Sequence, residues 1–216
     1  MNEELNKKSY KTGTTTLGIV CKDGVILAAD RRVTAGFVAH KKFKKIVQID
    51  DEMAVTTAGS VSEAQLLSKL IKAELNLKNV QTKRRATAKE VANLLSGLVY
   101  NNVRQSWMFQ SIAAFLFAAK DSEGVHLYSL GPDGSLIQHD DYAFDGSGEM
   151  FAIGVLESHY KKDISIKDGV KLAVKAINAS IQRDIYTGNG IDVITITSKG
   201  LDWVKEEELV YSLKED

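Results

Sequence analysis

Hydrophobic periodicity in this chain switches between two values, and the order of the switches constrains the fold more than any other feature. Alternating, β-branched segments predict strands over residues 14–21 and 25–33, with Asp23-Gly24 as the turn signal between them, and again over 37–49 and 53–58. The spacing then becomes helical. Leu66, Leu67, Leu70, Ile71 and Leu75 recur at three and four residues, and Ser62 with Gln65 is placed as a capping box. A second helix is expected behind a Thr87/Glu90 box, with Val91, Leu94, Leu95, Leu98, Val99 and Val103 on one face. Strands return at 112–119, 125–130, 135–138 and 142–144. Helices follow at 149–160 and 166–181, the second opened by Ser165 and Asp168. Segments 191–197 and 201–204 close the chain as strands around Lys199-Gly200. Strand and helix therefore come in blocks, whereas a doubly wound parallel sheet alternates them one for one. Two antiparallel sheets packed face to face, with helices on both outer faces, accommodate the order. The expectation is an α+β protein of four layers.

Length and charge exclude several alternatives. A chain of 216 residues without repeat or linker fits one large domain; its single proline, Pro132, lies in a turn-like GPDG. Lys plus Arg equals Asp plus Glu, 28 each, which argues against a nucleic-acid binder. Residues 41–45 and 83–85 are locally basic, and the second run reads as a solvated face. Cys21 is the only cysteine, so no intramolecular disulfide forms, and its apolar surroundings predict a buried strand residue. No segment approaches the roughly 18 consecutive apolar residues of a spanning helix, and the polar leader MNEELNKKSYKTG is unlike a secretory signal. A cytoplasmic protein without membrane contact is expected.

The usual catalytic and cofactor motifs are missing. His40, His126, His139 and His159 have no metal-ligand spacing and no cysteine cluster beside them, so no metal site is expected. A Ser-His-Asp triad stays open, because its order varies, but no G-x-S-x-G elbow occurs. Gly146-Ser147-Gly148 fails as a dinucleotide fingerprint, since Phe151 occupies the third glycine position; alone it reads as a turn before a helix.

The stretch Thr12-Gly13-Thr14-Thr15-Thr16 carries more. In isolation, three threonines express strand propensity. Here they follow a short polar leader, with Gly-Thr at the boundary of the first strand. A chain beginning at Thr14 would hold a hydroxyl and a free α-amine on one residue. The amine titrates near roughly 7.7 to 8, so it can take the hydroxyl proton without a histidine. Gly13, lacking a Cβ, eases the geometry for attack of the Thr14 hydroxyl on the Gly13 carbonyl.

The segment TGTTTLGIVCKDGVILAADRRVT resembles the opening of archaeal proteasome β-subunits. KKIVQID, TTAGSVSEAQ, DGSGEMFAIGVLESHY and QRDIYTGNGIDVITIT resemble the same family, in its order and near its spacing. The related α-type subunit opens differently, with an N-terminal helix. The resemblance implies an N-terminal nucleophile hydrolase fold of αββα layers. It implies a threonine endopeptidase without cofactor, autolytic loss of residues 1–13, and a catalytic domain over 14–216. Thr14 matches the nucleophile and Gly13 the residue before the autolytic cut. Lys45 matches the active-site lysine and Asp30 the acidic residue that keeps it charged and oriented. Such an ammonium lowers the hydroxyl's pKa and steers proton transfer. Gly59 matches the oxyanion-hole amide, and Ser147 and Asp184 the partners that orient the α-amine.

Departures are few. Thr187 stands where the family usually has serine; its hydroxyl serves in place, with a methyl that needs room. The loop between Val33 and Lys45 is one residue shorter than in a common member, so IVQID places the lysine. Glu149 follows the Gly-Ser-Gly where small polar residues are frequent. Val33, Phe43, Val47, Thr57 and Val61 match the primary pocket; none is charged, so cleavage after apolar residues is expected. The implied partners are β-subunits in seven-membered rings, proteasome α-subunits in outer rings, a regulatory ATPase acting through the α ring, and unfolded proteins cut to short peptides in the closed chamber. The alternatives are a structural β-subunit that matures only beside a second β type, and an unrelated binding domain. The joint presence of Thr14, Asp30, Lys45, Ser147 and Asp184 favours the active enzyme.

Overall fold

The structure is a computed structural model that describes residues 13–105 and 112–208. The elements run β1 (Thr16–Cys21), β2 (Gly24–Asp30), β3 (Val33–Thr34), β4 (Val38–His40), β5 (Ile46–Asp50) and β6 (Met53–Gly59), then α1 (Val61–Thr82) and α2 (Ala88–Gln105). After these come β7 (Ala113–Asp121), β8 (Gly124–Leu130), β9 (Leu136–His139), β10 (Tyr142–Asp145), α3 (Glu149–His159), α4 (Ile166–Arg183), β11 (Gly190–Thr197) and β12 (Gly200–Glu208). The strands form two five-stranded antiparallel sheets, ordered β10-β1-β2-β11-β12 and β5-β6-β7-β8-β9, with β3 and β4 as a separate hairpin. α3 and α4 cover the first sheet, and α1 with α2 covers the second. This is the four-layer αββα sandwich expected from the block order.

Strand alternation explains the layers. In β2, Val25, Leu27 and Ala29 face the opposite sheet, while Ile26 and Ala28 face α3 and α4. In β7, Leu116 and Ala118 enter the inter-sheet core, while Phe115 and Phe117 pack beneath α1 and α2. Both faces of β2 and β7 are thus buried, so residues 25–29 and 113–119 are apolar without alternation, as in buried parallel sheets, despite their antiparallel pairing.

Two helix starts form as the spacing predicts. Thr87 and Glu90 exchange reciprocal bonds, Glu90 N–H to Thr87 Oγ1 at 3.3 Å and Thr87 N–H to Glu90 Oε2 at 2.9 Å. Ser165 Oγ accepts from the Asp168 N–H at 3.2 Å. The Ser62/Gln65 box does not form. α1 begins at Val61, with Ser60 as N-cap, because the chain turns sharply at Gly59 and Ser60 N–H bonds the Ile112 carbonyl at 2.7 Å. Ser62 lies inside the first turn, bonded to the Ser60 hydroxyl. On α1, Leu67, Ile71 and Leu75 are buried, whereas Leu66 and Leu70 are exposed.

The predicted strand 37–49 is two strands. Between β4 and β5 the Phe43 amide bonds the Arg31 carbonyl across the site end of the molecule instead of joining a ladder. β12 runs past the expected residue 204, since its backbone pairs with the Gly190 end of β11. Cys21 is buried, as expected, and the basic residues 84 and 85 are exposed, paired with Glu90 and with Glu52 and Asp50. Among the described residues no helix is long and apolar enough to cross a membrane. Residues 1–12, most of the expected leader, lie outside the described residues.

Candidate active site

Thr14 precedes β1, an interior strand of the first sheet between β10 and β2, and is buried. Its hydroxyl donates to the Gly13 carbonyl at 2.8 Å, and its N–H donates to Ser147 Oγ at 3.2 Å. Ser147 in turn donates to Asp184 Oδ2 at 2.5 Å. Asp184 caps the C-terminus of α4, and its Oδ2 also accepts from Thr187 Oγ1 at 2.6 Å. With that proton committed, the 2.7 Å contact between Thr187 and Thr15 hydroxyls has Thr15 as donor. Thr187 is fully buried in this chain of bonds, so its methyl has the room that the sequence left in question.

The loop carrying Ser147 is glycine-rich for a steric reason. Gly146 has φ +107, and a Cβ there would fall 2.1 Å from the Thr14 carbonyl oxygen. The Gly148 N–H reaches the same oxygen at 3.4 Å, and the Gly148 carbonyl is held by Ser180 of α4.

Asp30, at the end of β2, is fully buried and uses both oxygens twice. Oδ1 accepts from Lys45 Nζ at 2.7 Å and from Thr15 N–H at 2.9 Å; Oδ2 accepts from the N–H groups of Arg32 and Gly188, each at 2.9 Å. Lys45, just before β5, is equally buried, and its Nζ also points to the Gly13 carbonyl at 3.3 Å. Burial pushes the Lys45 ammonium below its usual value of 10.5, opposed chiefly by the charge and hydrogen bond of Asp30, and more remotely by Asp184; Arg32 pushes the same way as burial. The Gly13 oxygen thus collects two donors, the Thr14 hydroxyl and the Lys45 ammonium.

Beside these groups lies a small cleft. Gly13, Thr14, Lys45 and Gly59 share its wall with Val33, Phe43, Thr57 and Val61. Gly59 needs to be glycine: its φ is +90 and a Cβ would meet the Ile112 carbonyl oxygen at 2.3 Å. Four of the five expected pocket residues line the cleft. Val47 does not; next to Ile46, which enters the inter-sheet core, it turns to the other face and packs against the core beneath α1. Ala58 and Ala64 line the cleft without having been signalled by the sequence. Arg31 and Arg32 were also missed: Arg31 pairs with buried Asp192, and Arg32 bonds Asn189 and the Ile185 carbonyl, bracing the 184–190 loop. Their charge, at the end of the apolar GVILAA strand and beside Asp30, was the available signal.

Other chemistry is not assembled. No group of three or more His, Cys, Asp or Glu gathers among the described residues. His126 pairs with Asp121 and His139 with Ser129, two separate pairs on the second sheet, remote in the chain from Thr14. Burial, with Asp23 nearby, pushes the Cys21 thiol up to about 12, so it stays protonated.

The model of the family described as Proteasome subunit matches residues 10–196. The protein named "Proteasome subunit beta" of Ferroglobus placidus is 44% identical over 206 residues, covering 95% of this chain and 96% of its own. Its namesake in Archaeoglobus fulgidus is 43% identical over 206 residues, 95% and 94% of the two chains. That of Methanocaldococcus vulcanius is 38% identical over 206 residues, 94% and 91%.

Proposed function

The chain belongs to the proteasome family, as a β-type subunit and threonine endopeptidase, and on that premise we propose that Thr14 is its nucleophile once residues 1–13 have been removed. The observation that carries this reading is the convergence of the Thr14 hydroxyl and the Lys45 ammonium on the Gly13 carbonyl, at 2.8 and 3.3 Å. In the uncut chain Thr14 Oγ1 attacks the Gly13 carbonyl carbon. The peptide C–N bond breaks, the hydroxyl proton passes to the departing nitrogen, and an ester joins Gly13 to Thr14 Oγ1. Water hydrolyses that ester, leaving a free amine and hydroxyl on Thr14.

The freed amine then acts as base toward its own hydroxyl, oriented by Ser147, which is held by Asp184 and, through it, by Thr187. Lys45, anchored by Asp30, stabilises the developing alkoxide, and the Gly59 N–H receives the oxyanion. A substrate carbonyl is attacked as the Gly13 carbonyl was. The acyl side chain enters the cleft between Val33, Phe43, Thr57 and Val61, which favours apolar residues. A best rate after Arg or Glu, among peptides ending in Leu, Phe, Arg or Glu before the scissile bond, would refute that preference.

As a proteasome β-subunit the chain assembles in rings with α-subunits. We place it in the cytoplasm, in seven-membered β rings enclosed by α rings, fed with unfolded protein by a regulatory ATPase. No cofactor or metal enters the reaction as proposed. Intact mass of assembled particles tests the reading: residues 1–13 are gone from the wild type, whereas Thr14→Ala keeps them and loses turnover by more than about a thousandfold. Turnover undiminished in particles that still begin at Met1 would defeat it.

A further inference from the structure

Gly13 poses a positioning problem that a peptide substrate does not. A substrate residue at the acyl position is held by its side chain in the cleft, but glycine has none, and only glycine fits here. A Cβ on Gly13 would lie 1.7 Å from Tyr186 Cβ and 2.9 Å from Ser147 Oγ. The residue before the self-cleaved bond must therefore be held through its backbone alone. Its carbonyl has two donors, both belonging to the reaction. Its N–H donates to Thr34 Oγ1 at 3.2 Å, a buried bond to a residue 21 positions away. Thr34 is itself 4% exposed, on the β3–β4 hairpin opposite Val38.

We infer that Thr34 is a positioning residue for self-cleavage: its hydroxyl pins the amide of Gly13, fixing the Gly13 carbonyl beneath Thr14 Oγ1 and Lys45 Nζ. The inference rests on the self-cleavage reading given above. The hydroxyl oxygen accepts one hydrogen bond and does nothing covalent. With the Gly13 amide held by Thr34 and its Cα packed against Tyr186, rotation about the bonds flanking the carbonyl is restricted. That restriction supplies near-attack geometry for a residue with no side-chain anchor. Once the leader departs, Thr34 Oγ1 loses this partner. Peptide substrates, anchored additionally by the cleft, depend on it less.

The test separates maturation from turnover. Full-length chains carrying Thr34→Val, Thr34→Ala or Thr34→Ser are assembled with α-subunits, and leader loss is followed by intact mass over time. The same substitutions are placed in a chain whose Thr14 terminus is freed by a separate protease, and peptide turnover is measured. Thr34→Val and Thr34→Ala are expected to slow leader loss roughly tenfold, the effect of one lost hydrogen bond, while Thr34→Ser restores it. The slowing should exceed any loss of turnover in the pre-cleaved protein by about fivefold or more. Leader loss at the wild-type rate in Thr34→Val and Thr34→Ala overturns the inference, and so does an equal fall in maturation and turnover. Leader loss in Thr14→Ala, run alongside, would instead overturn the self-cleavage reading itself.

Discussion

Two aspartates in this molecule are fully buried beside a cation, and they are used differently. Asp30 on β2 lies opposite Ile191, and Asp192 on β11 lies opposite Ala29, so the two are neighbours in cross-strand register. Asp30 takes four donors from four segments: Lys45, Thr15, Arg32 and Gly188. Asp192 takes both of its bonds from Arg31 on a single oxygen, and Oδ2 has no partner among the described residues. A carboxylate saturated by backbone N–H groups cannot turn, so Lys45 has one place to sit, facing Gly13 and Thr14. The Arg31–Asp192 pair joins strands, with Glu206 of β12 3.9 Å from the same guanidinium, and among the described residues its side chains make no hydrogen bond to Gly13, Thr14 or Lys45. One burial pattern thus serves preorganisation and the other cohesion.

The largest expected effect separates them. Asp30→Asn removes the charge that anchors Lys45 and should lower turnover by about 10² to 10⁴. It also leaves a buried ammonium unpaired, at a stability cost of about 3 to 5 kcal/mol. Arg31→Met leaves Asp192 unpaired and should cost stability in the same range, about 3 kcal/mol, while turnover per assembled particle falls by less than about tenfold. Urea midpoints and peptide turnover on the same particles check both. A collapse of turnover in Arg31→Met matching that in Asp30→Asn would break the distinction.

The smallest effect sharpens it. Lys45 is held below its ordinary 10.5, so between the two values the unfolded chain binds more protons than the folded one. Its burial therefore penalises the folded state at lower pH, and stability from this group rises as pH climbs toward 10.5. If turnover needs the charged form, its basic limb lies below 10.5, and Asp30→Asn, which deletes the two contributions that most hold the proton, moves that limb to lower pH. The pH profile of residual turnover reads this directly; a limb that does not move would remove Asp30 from the lysine's titration.

What the sequence determined by itself was local. The block order of periods argued against a doubly wound sheet and was accommodated by two sheets with helices outside, because burial on alternate or every-third positions is written within a few residues; how the layers stack is not fixed by periodicity. The Thr87/Glu90 and Ser165/Asp168 caps were legible because both partners lie within one turn, whereas the equally local Ser62/Gln65 box was overruled by the turn at Gly59. Gly13-Thr14 stood out by chemistry, whereas Asp30, Lys45, Gly59, Ser147 and Asp184 were legible only through family resemblance, since no local pattern joins them.

Tertiary structure decided the rest. Leu66 and Leu70 have the same spacing as Leu67 and Ile71, and only packing against α2 and the strands β5, β6 and β7 selects the buried stripe. Residues 41–45 look like strand until the Phe43 amide finds the Arg31 carbonyl. Val47 is apolar and adjacent to the site in sequence, yet the strand's alternation turns it to the other core. The site itself joins Asp30 to Gly188 across 158 residues and Thr14 to Ser147 across 133. Such pairings carry no periodic trace, because they are enforced by packing two whole sheets rather than by the preference of any segment.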